Sequence, residues 1–207
     1  EKEYPDFNIV GEAWYPRGSA SAWWQKDSKM NGSNSNLKTV MDFDLTFTCQ
    51  KAFGDVCSSN EGSEAGLFKI YEVIAQDFMF PDPNNVLIFL DNHDLGRFMQ
   101  KGESDLRRYK QAIAFLLTTR GIPQIYYGTE ILMSGTKAEG DGVIRSDFPG
   151  GWAGDPKDAF TPEGRTDLQN EAWNYMKKIL NWRKHCDAVK EGKLIHYTPD
   201  GTGCYVY

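Results

Sequence analysis

Four short runs of apolar residues recur along the chain, and each run ends in polar residues. The runs are Phe7–Val10, Thr39–Phe43, Val86–Leu90 and Pro123–Tyr127. They are continuous rather than alternating between apolar and polar positions, which is typical of strands that are covered on both faces, as in parallel sheets. We therefore predict four buried β-strands.

Helical patterns alternate with these strands. Apolar residues at spacings of three and four predict helices over Glu64–Phe78, Asp105–Thr119 and Asp167–His185, and a weaker, Trp-rich one over Ala20–Lys29. Ser104 is the expected N-cap of the helix that begins at Asp105. We expect two sets of packing residues: Leu106, Tyr109, Ile113, Leu116 and Leu117 in that helix, and Trp173, Met176, Ile179, Leu180 and Trp182 in the last one.

Strands that alternate with helices predict an α/β fold with right-handed crossovers and a parallel sheet. Two architectures remain open at this point, a doubly wound open sheet and part of a closed barrel. Successive strands begin roughly 30–50 residues apart, which leaves room for a helix and a long loop in each unit. After the last long helix, Lys193–Tyr197 and Cys204–Tyr207 predict a β-hairpin around a Pro- and Gly-containing turn.

Composition narrows the class of protein. Of the 207 residues, 40% are hydrophobic and 14% aromatic, which excludes a disordered chain. The net charge is −6, from 23 basic and 29 acidic residues, and this acidic balance argues against nucleic acid and anionic membranes as partners. No apolar stretch approaches the roughly 20 residues that span a bilayer, so we expect no membrane insertion.

The beginning of the chain and its cysteines indicate neither a cellular compartment nor a zinc site. There is no initiator Met, and a strand pattern starts at Phe7, so we expect a fragment of a longer protein, and any leader would lie upstream. The four cysteines show neither CxxC spacing nor zinc-type spacing. Unpaired cysteines are the expectation, with a Cys49–Cys57 disulfide as the alternative.

Carboxylates lie in or just after the predicted strands. They are Glu12, Asp42, Asp91, Asp94 and Glu130. Burying a carboxylate costs several kcal/mol unless it is paired or used, so this repetition predicts a shared polar site at one end of the sheet. Cleavage of a glycosidic bond needs two carboxyl groups on opposite sides of the bond, and such a cluster permits that reaction.

Three segments resemble one family. Val10–Trp14 (VGEAW) is similar to the strand-five motif of the α-amylase family, glycoside hydrolase family 13. Phe89–Asp94 (FLDNHD) resembles its strand-seven motif, and Gly121–Glu130 (GIPQIYYGTE) resembles its strand-eight segment, closest to the neopullulanase and cyclomaltodextrinase branch. The resemblance implies a parallel half-barrel, strands five to eight of a TIM (β/α)₈ barrel. Residues 1–186 would be the C-terminal half of the catalytic barrel, and residues 187–207 the truncated start of a C-terminal all-β domain.

The same resemblance implies roles for individual residues. Glu12 matches the general acid/base, Asp94 matches the third carboxylate, which binds sugar hydroxyls and helps distort the ring, and His93 matches an imidazole that binds the same sugar. Trp152 and Trp14 are candidates for stacking on glucose, although core packing is an equal alternative for Trp14. Arg97 is expected to line the mouth of the cleft or to pair with a carboxylate.

Two further points restrict the activity that is expected of the chain alone. Asp91 and Glu130 are expected to be structural supports, and the role of Asp42 stays open. The strand-four motif, with its nucleophilic Asp, has no counterpart in these residues, so we expect the chain alone to be inactive. The calcium site of many relatives is also built largely upstream, so no metal or other cofactor is assigned to this chain.

The resemblance implies a parent enzyme that cleaves α-glucosidic bonds in starch-type polysaccharides and is secreted or periplasmic. Two alternatives stay open: a transglycosylase of the same family, glucanotransferase or trehalose-forming, and a non-catalytic α-glucan-binding fragment. Half of a barrel would leave two bare strand edges, so we also expect self-association through those edges.

Overall fold

The computed structural model describes residues 3–4, 7–54, 66–102, 105–199 and 203–207. These residues form two compact units. The first unit consists of Glu1–Phe89, Thr119–Gln124 and Ala188–Tyr207, and the second consists of Leu90–Thr118 and Ile125–Asp187. Each unit has its own buried residues, and each is described in turn.

A four-stranded parallel sheet is the centre of the first unit. Its strands are β1 (Val10–Gly11), β2 (Thr39–Met41), β3 (Val86–Phe89) and β4 (Ile122–Gln124). They lie in the order β1-β2-β3-β4, and every neighbouring pair is parallel. The parallel α/β prediction is therefore confirmed. All four strands are shorter than the apolar runs that predicted them, because residues at the run ends bend into loops and helices.

The largest error concerns the segment after β2. The sequence pattern extended this strand to Phe43, but Asp42 ends it by capping a helix, since its side chain accepts a hydrogen bond from the Leu45 N–H at 3.0 Å. Helix α2 (Phe43–Ala52) follows and was not predicted. Phe43 is fully buried and packs edge-on against Phe89 of β3, at 5.1 Å between ring centroids. In a short apolar run, the start of a buried helix and the end of a buried strand have the same sequence pattern.

Two more helices belong to the first unit: one packs against β2 and the other against α2. They are α1 (Gly18–Trp24), within the predicted Trp-rich segment apart from its first two residues, and α3 (Leu67–Ile74), where a longer helix was predicted to start at Glu64, outside the described residues. Short 3₁₀ helices follow at Asp77–Met79 and Pro83–Asn85. One apolar cluster joins helix, strands and loop: Ala22, Val40, Phe80 and Val86, with Leu37 and Met79 packed against it.

Gly121 begins the connection into β4 and has a backbone conformation that favours glycine, with φ at +98°. A Cβ at this position would lie 2.7 Å from the carbonyl oxygen of Val86. The glycine therefore lets the chain turn tightly beside β3 before β4 starts, and any larger residue would push the two strands apart.

A buried ionic network ties three parts of the first unit together. Arg120 donates to Asp42 at 3.1 Å and makes two bonds to Asp77, at 2.8 and 2.5 Å. Burial raises the pKa of Asp77, and the hydrogen bonds and charge of Arg120 oppose this shift. Asp42, whose role was open, is therefore a structural carboxylate that caps α2 and pairs with a buried guanidinium.

The C-terminal residues of the first unit contain less regular structure than predicted. A single antiparallel bridge joins Tyr197 to Val206, with the Tyr197 N–H donating to the Val206 carbonyl at 3.0 Å. The residues at the tip of the predicted turn, 200–202, lie outside the described part of the chain. The Thr198 hydroxyl donates to the Tyr71 hydroxyl at 2.8 Å, which fixes this segment on α3. The domain boundary at residue 187 stays a prediction.

Helices dominate the second unit. They are α4 (Leu106–Thr118), α5 (Asp141–Ile144) and α6 (Asp167–Lys184), with 3₁₀ helices at Thr129–Ile131 and Lys137–Glu139. A further short helix, α7 (Asp187–Lys190), follows α6, and its residues from Ala188 onwards belong to the first unit. Thr166 caps α6 in a capping box with Gln169. None of the described helices combines the length and the apolar character needed to cross a membrane.

The residues predicted to pack are all buried in α4, whereas in α6 not all of them are. All five apolar positions predicted in α4 are buried, although its predicted cap, Ser104, lies outside the described residues. In α6 Met176 is buried, whereas Trp182 is 50% exposed, so its assignment as a packing residue was wrong. Cys49, Cys186 and Cys204 are free, and Cys57 lies outside the described residues.

The buried network generates a prediction about stability. Replacing Arg120 by Met should lower the free energy of unfolding by about 3–5 kcal/mol, because the buried carboxylate of Asp42 loses its partner. Chemical denaturation measures the loss. The matched control is Arg107→Met, which removes an exposed pair with Asp105 and should change little. Equal effects of the two substitutions would contradict this account.

Candidate active site

The predicted site residues follow strands whose carboxyl ends point the same way. Glu12 comes directly after β1, and the segment from Leu90 onwards comes directly after β3. Because β1, β2 and β3 are parallel neighbours, these loops leave the sheet at one edge, where parallel α/β proteins hold their active sites. Glu12 is exposed, so its carboxyl group is open to a ligand from solvent.

Trp14 lies two residues beyond Glu12 and is held rigidly. Its ring stacks on Phe43, with centroids 4.6 Å apart and planes 19° from parallel. Phe43 is itself locked against Phe89, so the indole has a fixed base. The Trp14 residue is 43% exposed, which leaves surface for a second stacking partner. Core packing and ligand stacking, the two alternatives for Trp14, are therefore compatible.

The His93–Asp94 pair lies in the second unit on a tight turn. Asn92 is buried, and its side-chain oxygen accepts the N–H groups of Asp94 at 3.0 Å and Leu95 at 2.9 Å. This turn directs His93 outwards, where it is exposed, and leaves Asp94 partly buried. His93 Nε2 lies 3.3 Å from Asp94 Oδ2, so the two side chains are in contact and both keep exposed surface.

Asp91 supports this turn from inside. It is buried, and its carboxylate accepts the Phe98 N–H at 2.8 Å and the Thr129 hydroxyl at 3.1 Å. Burial raises the pKa of Asp91, and the bond from Phe98 opposes the shift. The bonds of Asp91 are those of a structural support that joins the loop after β3 to the segment after β4.

Arg97 is buried, and its hydrogen bonds go to backbone carbonyls. Its Nε donates to Ile144 at 2.9 Å, and another guanidinium nitrogen donates to Tyr127. The guanidinium also lies over the Tyr126 ring, 4.0 Å from its centroid. The sequence suggested a place at the mouth of the cleft or a carboxylate partner, whereas the structure places Arg97 where it fastens two loops together.

Arg145 was missed as a functional candidate. It donates to Asp94 Oδ1 at 2.8 Å, to the carbonyl oxygen of His93 at 2.9 Å and to Asp141 at 3.1 Å. The sequence places it in the loop after the fourth strand, and Asp141 lies four residues before it, a spacing that favours a pair. No linear spacing connects it to Asp94, because the two residues are far apart in the chain.

Trp152 lies on a glycine-shaped loop. Gly150 and Gly151 both have φ at +106°, and a Cβ on Gly150 would lie 2.7 Å from the Cα of Asp158. The Trp152 N–H donates to Asp155 at 3.0 Å. The residue itself is 79% exposed, so the loop presents a nearly free indole to solvent.

Glu130 lies apart from these residues. It lines a largely apolar cavity of about 540 Å³, whose other lining residues are Ile125, Tyr127, Trp173, Met176, Lys177, Leu180, Asn181 and Lys184. Burial raises the pKa of Glu130, and within the described part of the chain its Oε2 has no hydrogen-bond partner. Glu130 is thus a half-buried carboxylate with one buried oxygen atom, and none of the six predicted site residues lines this cavity.

The structure therefore brings some of the predicted residues together. In the second unit His93 and Asp94 form one cluster, joined by Arg145 and supported through Asp91. Glu12 and Trp14 lie two residues apart in the first unit, where the Trp14 N–H donates to the Glu12 carbonyl at 3.1 Å. Where the structure describes the chain, no three His, Cys, Asp or Glu side chains gather in a way that could hold a metal ion.

Residues 1–190 match the family described as alpha amylase, catalytic domain. Two curated relatives align with 77% of the chain. One is a cyclomaltodextrin glucanotransferase of Thermoanaerobacterium thermosulfurigenes, 32% identical over 160 residues, and the other is an alpha-amylase of Niallia circulans, 36% identical over 162 residues. The aligned chain spans only 19% and 26% of these two relatives.

Solved structures agree with this result. The alpha-amylase of Geobacillus thermoleovorans, solved as a complex with acarbose, is 25% identical and superposes with a TM-score of 0.64. The comparison covers 93% of this chain and 37% of that one. The parallel sheet therefore has the arrangement found in part of a catalytic domain of this kind.

Proposed function

Because this chain belongs to the alpha-amylase family, we propose that it supplies the acid/base side of a retaining glycosidase site that cleaves α-glucosidic bonds. The observation that carries the proposal is the position of Glu12. It is an exposed carboxyl group at the end of β1, in a parallel sheet whose β3 leads directly into the His93–Asp94 turn. We also propose that the four strands correspond to strands five to eight of the family's barrel, with a β-domain starting near residue 187.

The proposed reaction assigns each group one task. Glu12 donates a proton to the glycosidic oxygen as the bond from that oxygen to the anomeric carbon breaks. A carboxylate nucleophile then forms a bond to the anomeric carbon from the opposite face. In the second half, Glu12 takes a proton from water while the water oxygen displaces the nucleophile.

We propose that the remaining site residues bind the substrate. Asp94 and His93 lie side by side with exposed surface, and we propose that the carboxylate and the imidazole bind neighbouring hydroxyls of one sugar. We propose that Trp14 and Trp152 stack on the apolar faces of glucose units. For Arg97, burial favours a supporting role in which it fixes the surrounding loops instead of contacting the sugar.

We propose starch-type α-glucans as substrates, since the two relatives are named alpha-amylase and cyclomaltodextrin glucanotransferase. The second name keeps transglycosylation as the alternative, because hydrolysis and transfer share the acid/base and differ in whether water or a sugar hydroxyl accepts the glycosyl group. A secreted or periplasmic location of the complete protein fits a polymeric substrate.

The acid/base assignment generates an activity prediction. The complete enzyme is this chain together with the residues that supply a nucleophile. In it, Glu12→Gln should lower kcat on maltooligosaccharides by about 10²–10⁴-fold, because the amide cannot donate the proton. The exposed Glu171→Gln is the matched control. The 207-residue chain alone should show no turnover. Glu12-dependent turnover by the chain alone would contradict the need for an added nucleophile, and full activity of Glu12→Gln would refute the proposed site.

One observation favours a second function, non-catalytic binding of α-glucans. Trp152 is 79% exposed on a loop fixed by two glycines, which suits a stacking platform. Trp152→Ala should weaken maltoheptaose binding about tenfold, corresponding to roughly 1.4 kcal/mol, as measured by calorimetric titration. The control is Trp182→Ala, which removes another exposed indole, on α6. Binding that both variants retain unchanged would rule out stacking by Trp152.

We further propose that the chain self-associates through its sheet edges. β1 and β4 are the outer strands of the sheet, and Ile9, Val10 and Ile122 expose apolar surface there. In sedimentation velocity, dilute chain should form species heavier than 23.5 kDa. Val10→Lys should shift them towards the monomer, whereas Phe78→Lys, which changes an exposed residue away from the strands, should not. A stable monomer at all concentrations would refute the proposal.

A further inference from the structure

Arg145 is an exposed side chain that bonds three groups at and beside the His93–Asp94 turn. We propose that Arg145 is a positioning residue that holds Asp94, and the backbone at His93, in the orientation that sugar binding requires. This inference rests on the proposed function, in which Asp94 binds and distorts the sugar.

The contacts of Arg145 form a fork. Its Nε bonds the carbonyl oxygen of His93 at 2.9 Å, and a terminal nitrogen bonds Asp94 Oδ1 at 2.8 Å. One rigid guanidinium plane therefore fixes both the main chain before Asp94 and the carboxylate itself. The other carboxylate oxygen, Oδ2, lies 3.3 Å from His93 Nε2, so Asp94 is held from two sides.

The base of Arg145 is anchored as well. Its N–H bonds the carbonyl oxygen of Asp141 at 2.9 Å, which closes the last turn of α5. The preceding residue, Ile144, is fully buried, and its carbonyl accepts the Nε of Arg97 at 2.9 Å. Arg97 thus fixes the peptide from which Arg145 extends. Buried Arg97 and exposed Arg145 form two successive supports behind Asp94.

The exposure of the Arg145–Asp94 pair favours a role in positioning Asp94 over a role in stabilising the fold. The side chains of Arg145 and Asp94 are 42% and 29% exposed, and ion pairs at such exposure contribute little to folding. A small displacement of a group that contacts a reacting sugar, however, can lower the rate about 100-fold. Removing Arg145 should therefore impair the reaction while the unfolding temperature stays unchanged.

A double-mutant cycle in the complete enzyme tests the inference. Arg145→Gln should lower kcat/KM by about 10- to 100-fold in the otherwise unchanged enzyme, mostly through kcat. In an Asp94→Asn background the same substitution should cost no more than about twofold, because its target is already lost. Arg145→Lys should recover only part of the activity, since an ammonium group cannot make the fork.

Lys137→Gln is the control, because it removes a neighbouring exposed charge that contacts Asp141 and not Asp94. Its kcat/KM should stay unchanged. Losses from Arg145→Gln and Asp94→Asn that simply add, or a loss confined to KM, would show that Arg145 acts independently and would overturn the inference alone. Unchanged activity of Asp94→Asn would instead refute the proposed role of Asp94, and this inference with it.

Discussion

Parallel pairing of four short strands is the constraint on which the rest of the structure depends. The bonds between β1, β2, β3 and β4 set a common direction, so every strand delivers its following loop to the same edge of the sheet. Glu12 needs no long-range contact of its own to reach that edge, since its place two residues beyond Val10 is sufficient.

Carboxylates that have similar positions in the sequence, in or after the strands, have two different environments in the structure. Asp42 and Asp91 are buried and fully used, one by Arg120 and a helix N-terminus, the other by an N–H group and a hydroxyl. Glu12 and Asp94 keep solvent-accessible surface. A buried carboxylate must find donors within the protein, whereas one that serves a ligand must stay open to solvent.

Arginines form the framework around the open carboxylates. Arg120 joins α2, β4 and a 3₁₀ helix in the first unit, and Arg97 joins the loops around Ile144 and Tyr127 in the second. Both guanidiniums are buried and directed at fixed acceptors, which suits their planar, multidentate geometry. Such supports keep long loops in one conformation, and long loops at strand ends are the places where this fold holds its chemistry.

The sequence by itself determined the order of the four strands and of helices α1, α3, α4 and α6, the parallel α/β class, the apolar face of α4 and the family, because periodicity and short motifs are local properties. It did not determine that Thr39–Phe43 is only partly a strand, that Trp182 faces solvent, or that Arg145 bonds Asp94. The tertiary structure decided these points, because the packing of Phe43 on Phe89, the exposure of Trp182 and the Arg145–Asp94 pair depend on residues distant in the chain. A helix face is buried only where another element packs on it, and an ion pair between two loops forms only where the loops meet.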